Sequence, residues 1–132
     1  MTHRFSLRVY YEDTDLAGIV YYANYLKFIE RARSEWVRSI GIDQARMKAE
    51  DNTVFVVRRV EADYLRSALF DDVLVVDTSV FLATPARLVL DQIVRRKEEK
   101  LFVARVTLVA VGAGGRAVRL PAELRRIVPA GG

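Results

Sequence analysis

Between residues 24 and 40 the apolar side chains return every three or four positions, and from residue 54 to 111 they return every second position. This one change of period limits the chain to a narrow set of folds. Tyr25, Phe28, Ile29, Ala32, Trp36, Val37 and Ile40 share one helical face. Lys27, Glu30, Arg31, Arg33 and Arg38 occupy the other, which predicts a single long amphipathic helix closed by Gly41. A polar connector over residues 43–52 has room for a short second helix. Four strands are then predicted over residues 54–64, 73–81, 88–94 and 101–111. Val54, Val56, Val60, Ala62 and Tyr64 read as one face of the first, and Phe102, Ala104, Val106, Leu108 and Ala110 as one face of the last. Asp71-Asp72, Thr84-Pro85, residues 97–100 and residues 112–115 supply the turns between and after them. Upstream, Phe5, Leu7, Val9 and Tyr11 alternate with polar neighbours, predicting a strand over residues 5–12 that stops near Asp13. Residues 121–128 suit a short terminal helix.

The order strand, helix, four strands gives an α+β fold with an antiparallel sheet around one helix, organised as one domain over residues 1–132. With 52% hydrophobic and 29% charged residues the chain can bury a core without a metal or disulfide. A single helix covers one face of such a sheet only. The other face also carries apolar residues and the edge strands need protection, so a homo-oligomer in which sheets or edges meet is expected.

Exclusion narrows the chemistry. There is no cysteine, which removes disulfides, thiolate nucleophiles and cysteine-ligated zinc. The only histidine is His3, in a terminal segment expected to be loosely held, so neither a Ser-His-Asp triad nor a histidine metal site is expected. Gly112, Gly114 and Gly115 follow a strand but open no helix with the lysine of a phosphate loop. The formal charge of +4 is compatible with nucleic acid, an anionic membrane or a phosphorylated ligand. No aromatic residues interleave the basic ones along a stripe, which speaks against nucleic acid. Arg95-Arg96-Lys97, followed by Glu98-Glu99, is either a solvated hairpin tip or a phosphate contact. The N-terminus lacks an apolar secretory core and no run reaches the roughly 18 apolar residues of a spanning helix. A cytoplasmic protein with no membrane span is the expectation.

What remains is carboxylate chemistry, with Asp13, Asp15 and Glu30 as candidates. Residues 11–25 set acidic side chains, a glycine turn and a helix start side by side, and a helix start presents N–H groups with no intrahelical partner. Asp13 reads either as a turn cap or as one of a pair of acids, and Glu30 either as an i, i+3 partner of Arg33 or as a reacting group. A carboxylate at Asp15 could attack a carbonyl or deprotonate water. Gly18 would give the backbone freedom for a tight entry to the helix, with the N–H groups around Tyr21 and Tyr22 as donors to an oxyanion. Tyr10, Tyr11, Tyr21, Tyr22 and Tyr25 could line an acyl pocket or simply pack in the core.

Residues 8–15, residues 18–22, Asn24-Tyr25 and Glu30-Arg31-Ala32-Arg33 closely resemble the signature of hotdog-fold acyl-CoA thioesterases. The likeness is to the 4-hydroxybenzoyl-CoA thioesterase class, especially the bacterial Tol-Pal-associated YbgC-type enzymes. Phe55-Val56-Val57-Arg58, Leu88-Val89-Leu90 and Leu120-Pro121 extend it over most of the chain. The resemblance implies a five-stranded antiparallel sheet wrapped around one long central helix, packed as dimers and often as tetramers. It implies an acyl-CoA substrate and no cofactor, coenzyme A being part of that substrate. It assigns Asp15 as nucleophile or general base and the backbone N–H of Tyr22 as the donor that polarises the carbonyl. Gly18, Val20 and Tyr21 fall beside the substrate. The basic side chains that would hold coenzyme A fall on Arg58, Arg59, Arg87 and Arg95. Many YbgC-type members carry histidine where this chain has Tyr22, a change that keeps the backbone donor. The alternative from another class is a non-catalytic protein that binds acyl-CoA or acyl carrier protein or holds a cell-envelope partner.

Overall fold

Five long strands and one long helix account for most of residues 2–127, which the computed structural model describes. The strands are β1 (Thr2–Arg8), β2 (Val54–Tyr64), β3 (Val73–Ala83), β4 (Leu88–Arg96) and β5 (Glu99–Val111). They form an antiparallel sheet in the order β1-β3-β4-β5-β2. A sixth strand, β6 (Ala117–Val118), folds back on β5 after the glycine turn. Two residues carry no alternation, so that strand was not readable from the sequence. Helix α1 (Asn24–Ser39) lies across the sheet, followed by α2 (Gln44–Asp51) and, near the C-terminus, α3 (Ala122–Arg125). α3 is shorter than the expected span, and Val128 lies outside the described residues.

The face of α1 read from the sequence is the buried one: Tyr25, Phe28, Ile29, Ala32, Trp36 and Val37 are all in the core. They meet the inward rows of the central strands, Leu74 and Val76, Leu88, Leu90 and Val94, and Phe102 to Ala110. At the end of α1, Gly41 takes φ +91, and the N–H groups of Gly41 and Ile42 donate to the Arg38 and Val37 carbonyls. Those bonds satisfy carbonyls the helix leaves open.

Two expectations need correction. The first strand begins at Thr2 and ends at Arg8, because residues 11–13 coil into a 3-10 turn. His3 is consequently held in β1, opposite Thr78. The face read for β2 is also broken. A register shift between Val57 and Arg59 makes Arg58 an extra residue, so Val54 and Val56 stand opposite Val111 and Val109, whereas Val60, Ala62 and Tyr64 stand opposite the buried Val106, Ala104 and Phe102. A bulge moves every later side chain to the other face, and period-two reading cannot see it.

Tyr25 ties the helix to the next layer. Its ring is 2% exposed, stacks on Phe102 at 5.1 Å, and its hydroxyl accepts from the Ala68 N–H at 2.9 Å. Burial raises its pKa above the ordinary 10.0. A group raised in the folded state gives stability that is complete below its unfolded pKa and lost as pH rises through the folded value. Stability toward urea is therefore expected to fall above about pH 10, and to fall less steeply in Tyr25→Phe.

Candidate active site

The segment between β1 and α1 doubles back on itself. Thr14 bridges Val20, the Asp15 N–H donates to the Ile19 carbonyl at 2.9 Å, and the Gly18 N–H returns to the Asp15 carbonyl at 2.9 Å. Gly18 stands at φ +80, with open space where a Cβ would sit. Gly18→Ala would meet no clash but would pay for a backbone conformation that L residues avoid, about 1–2 kcal/mol. Chemical denaturation should show that loss, together with a fall in activity as the loop shifts.

Asp13 holds the loop against the helix. Its Oδ2 accepts from the Tyr10 N–H at 2.8 Å, and its carbonyl accepts from the Tyr21 N–H and from Asn24 Nδ2, both at 2.9 Å. Of its two readings from sequence, the structure displays the turn cap. Asp15 is different. Its Oδ1 accepts from the Ala17 N–H at 2.9 Å, its side chain is exposed, and among the described residues it forms no ion pair. Its second oxygen therefore remains available.

The N–H of Tyr21 is spent on Asp13, so it cannot serve an oxyanion. The N–H of Tyr22, one residue on, has no acceptor among the described residues. No side chain caps α1 and no acid lies in its first turn. At the helix start the N–H groups of Asn24 and Leu26 donate to the Tyr21 and Ala23 carbonyls, whereas that of Tyr22 is left without an acceptor among the described residues. Tyr64, not singled out from the sequence, fixes this corner: its hydroxyl donates to the Tyr22 carbonyl at 3.0 Å and its ring packs edge-on against Phe102 at 4.9 Å. Val20 is buried beneath, its N–H on the Ala68 carbonyl, and the Tyr21 and Tyr22 rings face outward beside it.

The four arginines separate. Arg95 is bound by Asp77 through two bonds of 2.6 and 3.3 Å, which raise its pKa. Arg96 is held by Asp72 and Glu99. The Arg95-Arg96-Lys97 cluster is therefore an ion-paired hairpin. Arg59 pairs with Glu61 at 3.0 Å on the surface, where such pairs hold weakly. Arg58 and Arg87 are exposed and make no ion pair among the described residues. Arg58 precedes Tyr64 by six residues of strand, about 20 Å at 3.3 Å per residue, so it stands well along β2 from the Tyr64–Tyr22 corner. Glu30 also lacks an ion pair among the described residues, because Arg33 turns to Gln92 instead.

No cluster of three metal-ligating side chains occurs among the described residues, and none of their helices is long and apolar enough to cross a membrane. One helix across an antiparallel sheet, with an acid-bearing glycine loop at its N-terminus, is the layout of the hotdog thioesterases. The chain belongs to the Thioesterase superfamily, whose model matches residues 17–103. It is 38% identical to the acyl-CoA thioesterase YbgC of Haemophilus influenzae over 92% of this chain and 90% of that one. It is 40% identical to the acyl-CoA thioester hydrolase YbgC of Escherichia coli over 82% and 81% of the two chains. Among solved structures, a probable thioesterase from Bartonella henselae superposes with TM-score 0.88 at 35% identity, covering 92% of this chain and all of that one (100%).

Proposed function

We propose that this chain hydrolyses acyl-CoA thioesters to a free acid and coenzyme A, with Asp15 as the reacting carboxylate. The observation that carries the reading is the pairing, on one hydrogen-bonded loop, of an acid without an ion pair and a helix-start N–H without an acceptor. A thioester carbonyl oxygen that accepts from the Tyr22 N–H becomes more electrophilic at carbon, and the developing oxyanion is stabilised by that donor and the helix end. Asp15 then has two routes. It attacks the carbonyl, expelling coenzyme A thiolate and leaving an acyl-aspartyl anhydride that water cleaves, or it takes a proton from water, which attacks directly. Neither route changes an oxidation state, so the reaction needs no redox cofactor, and in this reading the Tyr22 N–H takes the carbonyl-polarising role.

The site is open in one chain. Among the described residues β2 pairs only with β5, and its inward row Val57, Val60 and Tyr64 is 40–48% exposed. A second copy pairing along that edge would cover the row and enclose the loop, which supports a homodimer or a tetramer built from dimers. Arg58 and Arg87, with the weakly paired Arg59, are the cations left for the coenzyme A phosphates. A cytoplasmic location fits that substrate, and an acyl carrier protein could present the same thioester.

The test is thiol release from a panel of aliphatic and aromatic acyl-CoA thioesters. The chain has no cysteine, so a thiol reagent reports product without background from the enzyme. Release with at least one thioester is expected. Saturable binding across the panel with no release would replace the hydrolase by the non-catalytic binding protein. Light scattering should give a dimer or tetramer, and a stable monomer would refute the edge pairing.

A further inference from the structure

α1 packs on β1, β3 and β4 and leaves the inward row of β2 open. On the helix, Leu26 is exposed in step with Glu30 and Arg33, one and two turns farther on, and on β2 Val57 and Val60 stand uncovered. Between helix and strand lies a cleft of about 210 Å³, its lining including Glu30, Arg33, Val37, Gln44, Phe55 and Val57.

Arg33 is the unusual member of that lining. Its Nη1 donates to Gln92 Oε1 at 3.0 Å. Gln92 is fully buried and cannot turn away, because its Nε2 donates to the Ile29 carbonyl and to Thr78 Oγ1, both at 3.0 Å. A guanidinium carries five N–H donors. Among the described residues Gln92 is the one partner of this guanidinium, and the partner is a neutral amide. The contrast with Arg95, Arg96 and Arg105 is sharp, since each of those is held by carboxylates. Burial lowers the pKa of Arg33, and the exposed Glu30 carboxylate opposes that only through its field.

Gln92 and Thr78 thus fix a half-buried cation in a cleft whose apolar walls are Val37, Phe55, Val57 and Leu108, with most of its donors unanswered among the described residues. A methyl group arriving there would strip water from those donors and replace none of their bonds, whereas an acceptor would answer them. We propose that Arg33 is a specificity-determining residue that receives the far end of the acyl group and favours acyl-CoA thioesters ending in a hydrogen-bond acceptor, above all a carboxylate, over methyl-ended chains of equal length. This rests on the hydrolytic reading, which puts the thioester carbonyl at the Tyr22 N–H. Arg33 lies eleven residues farther along the chain, about 16 Å at 1.5 Å per residue, and its side chain leans back toward the helix start. Acyl groups of medium length fit that span.

The experiment compares kcat/KM for suberoyl-CoA against octanoyl-CoA, and for sebacoyl-CoA against decanoyl-CoA, with the intact protein. The carboxylate-ended member of the better-fitting pair should lead by about tenfold or more. Arg33→Met, which keeps length and apolar volume, should reverse the order. Arg33→Gln, which keeps a donor for Gln92 but loses the charge, should bring the ratio close to unity. A wild-type ratio near unity for both pairs, or a ratio that Arg33→Met leaves unchanged, overturns the proposal. Calorimetric titration of the Asp15→Asn protein with the same four thioesters gives the preference as a ratio of Kd values. If the wild type releases no coenzyme A, the hydrolytic reading fails, and that Kd ratio still decides the role of Arg33.

Discussion

Asp15→Asn is expected to lower kcat for thioester hydrolysis by on the order of 10⁴-fold, the scale seen when a catalytic aspartate is replaced by its near-isosteric amide. The substitution is nearly isosteric. Its amide oxygen can still accept from the Ala17 N–H, so the turn closed by the Gly18 N–H and the Asp15 carbonyl should persist. What disappears is the negative charge, and with it both the nucleophile and the base. The melting temperature and the affinity for substrate should change little, because no ion pair is broken among the described residues. Activity within tenfold of the wild type would remove Asp15 from the mechanism. Glu30→Gln is the informative companion. Should it be well folded and inactive while Asp15→Asn turns over normally, the reacting acid is on the helix instead of the loop.

Phe102→Ala carries the largest expected cost in stability, about 3–5 kcal/mol. Phe102 is fully buried on the inward row of β5, stacked on Tyr25 and edge-on to Tyr64. Its loss removes apolar contact and opens a cavity between α1 and the sheet. For a chain of this length that corresponds to a fall of roughly 10–20 °C in melting temperature. The effect should reach the chemistry too. Tyr64 would lose the ring that orients it, and its hydroxyl holds the Tyr22 carbonyl. A lower kcat below the melting transition is the expected sign. A melting temperature within a few degrees of the wild type would mean that Tyr25 and Tyr64 repack without Phe102.

The reach of the sequence can be judged on particular elements. α1 was legible because six inward side chains repeat at helical spacing over sixteen residues, and tertiary packing needs that same face. β5 was legible for the corresponding reason: Phe102, Ala104, Val106, Leu108 and Ala110 alternate without interruption and all are buried. β2 was legible as a strand but not as a face, because the bulge at Arg58 leaves no mark in composition. β1 was placed three residues late, since Val9 and Tyr11 continue an alternation that the chain abandons for a 3-10 turn.

The candidate site divides in the same way. Asp15 and Gly18 stand out in one dimension because an acid and a glycine before an amphipathic helix are a local signal. The turn cap at Asp13 was legible as one of two readings, but the commitment of the Tyr21 N–H to the Asp13 carbonyl was not, because that bond exists only once the loop has closed. Gln92 offered a signal, a polar residue in the inward row between Leu90 and Val94. Its bond to Arg33 spans 59 positions and exists only once α1 lies on β4.

Local periodicity and turn chemistry by themselves determined that this chain builds one long helix and an antiparallel sheet, and that Asp15 and Gly18 stand on a turn before the helix. Tertiary structure alone decided which donors remain unspent, which arginines are already paired and where a bulge reverses a face. The reason is physical: periodicity is a property of neighbours a few residues apart, whereas hydrogen-bond partnership and burial are settled by groups far apart in sequence that meet only in the folded chain.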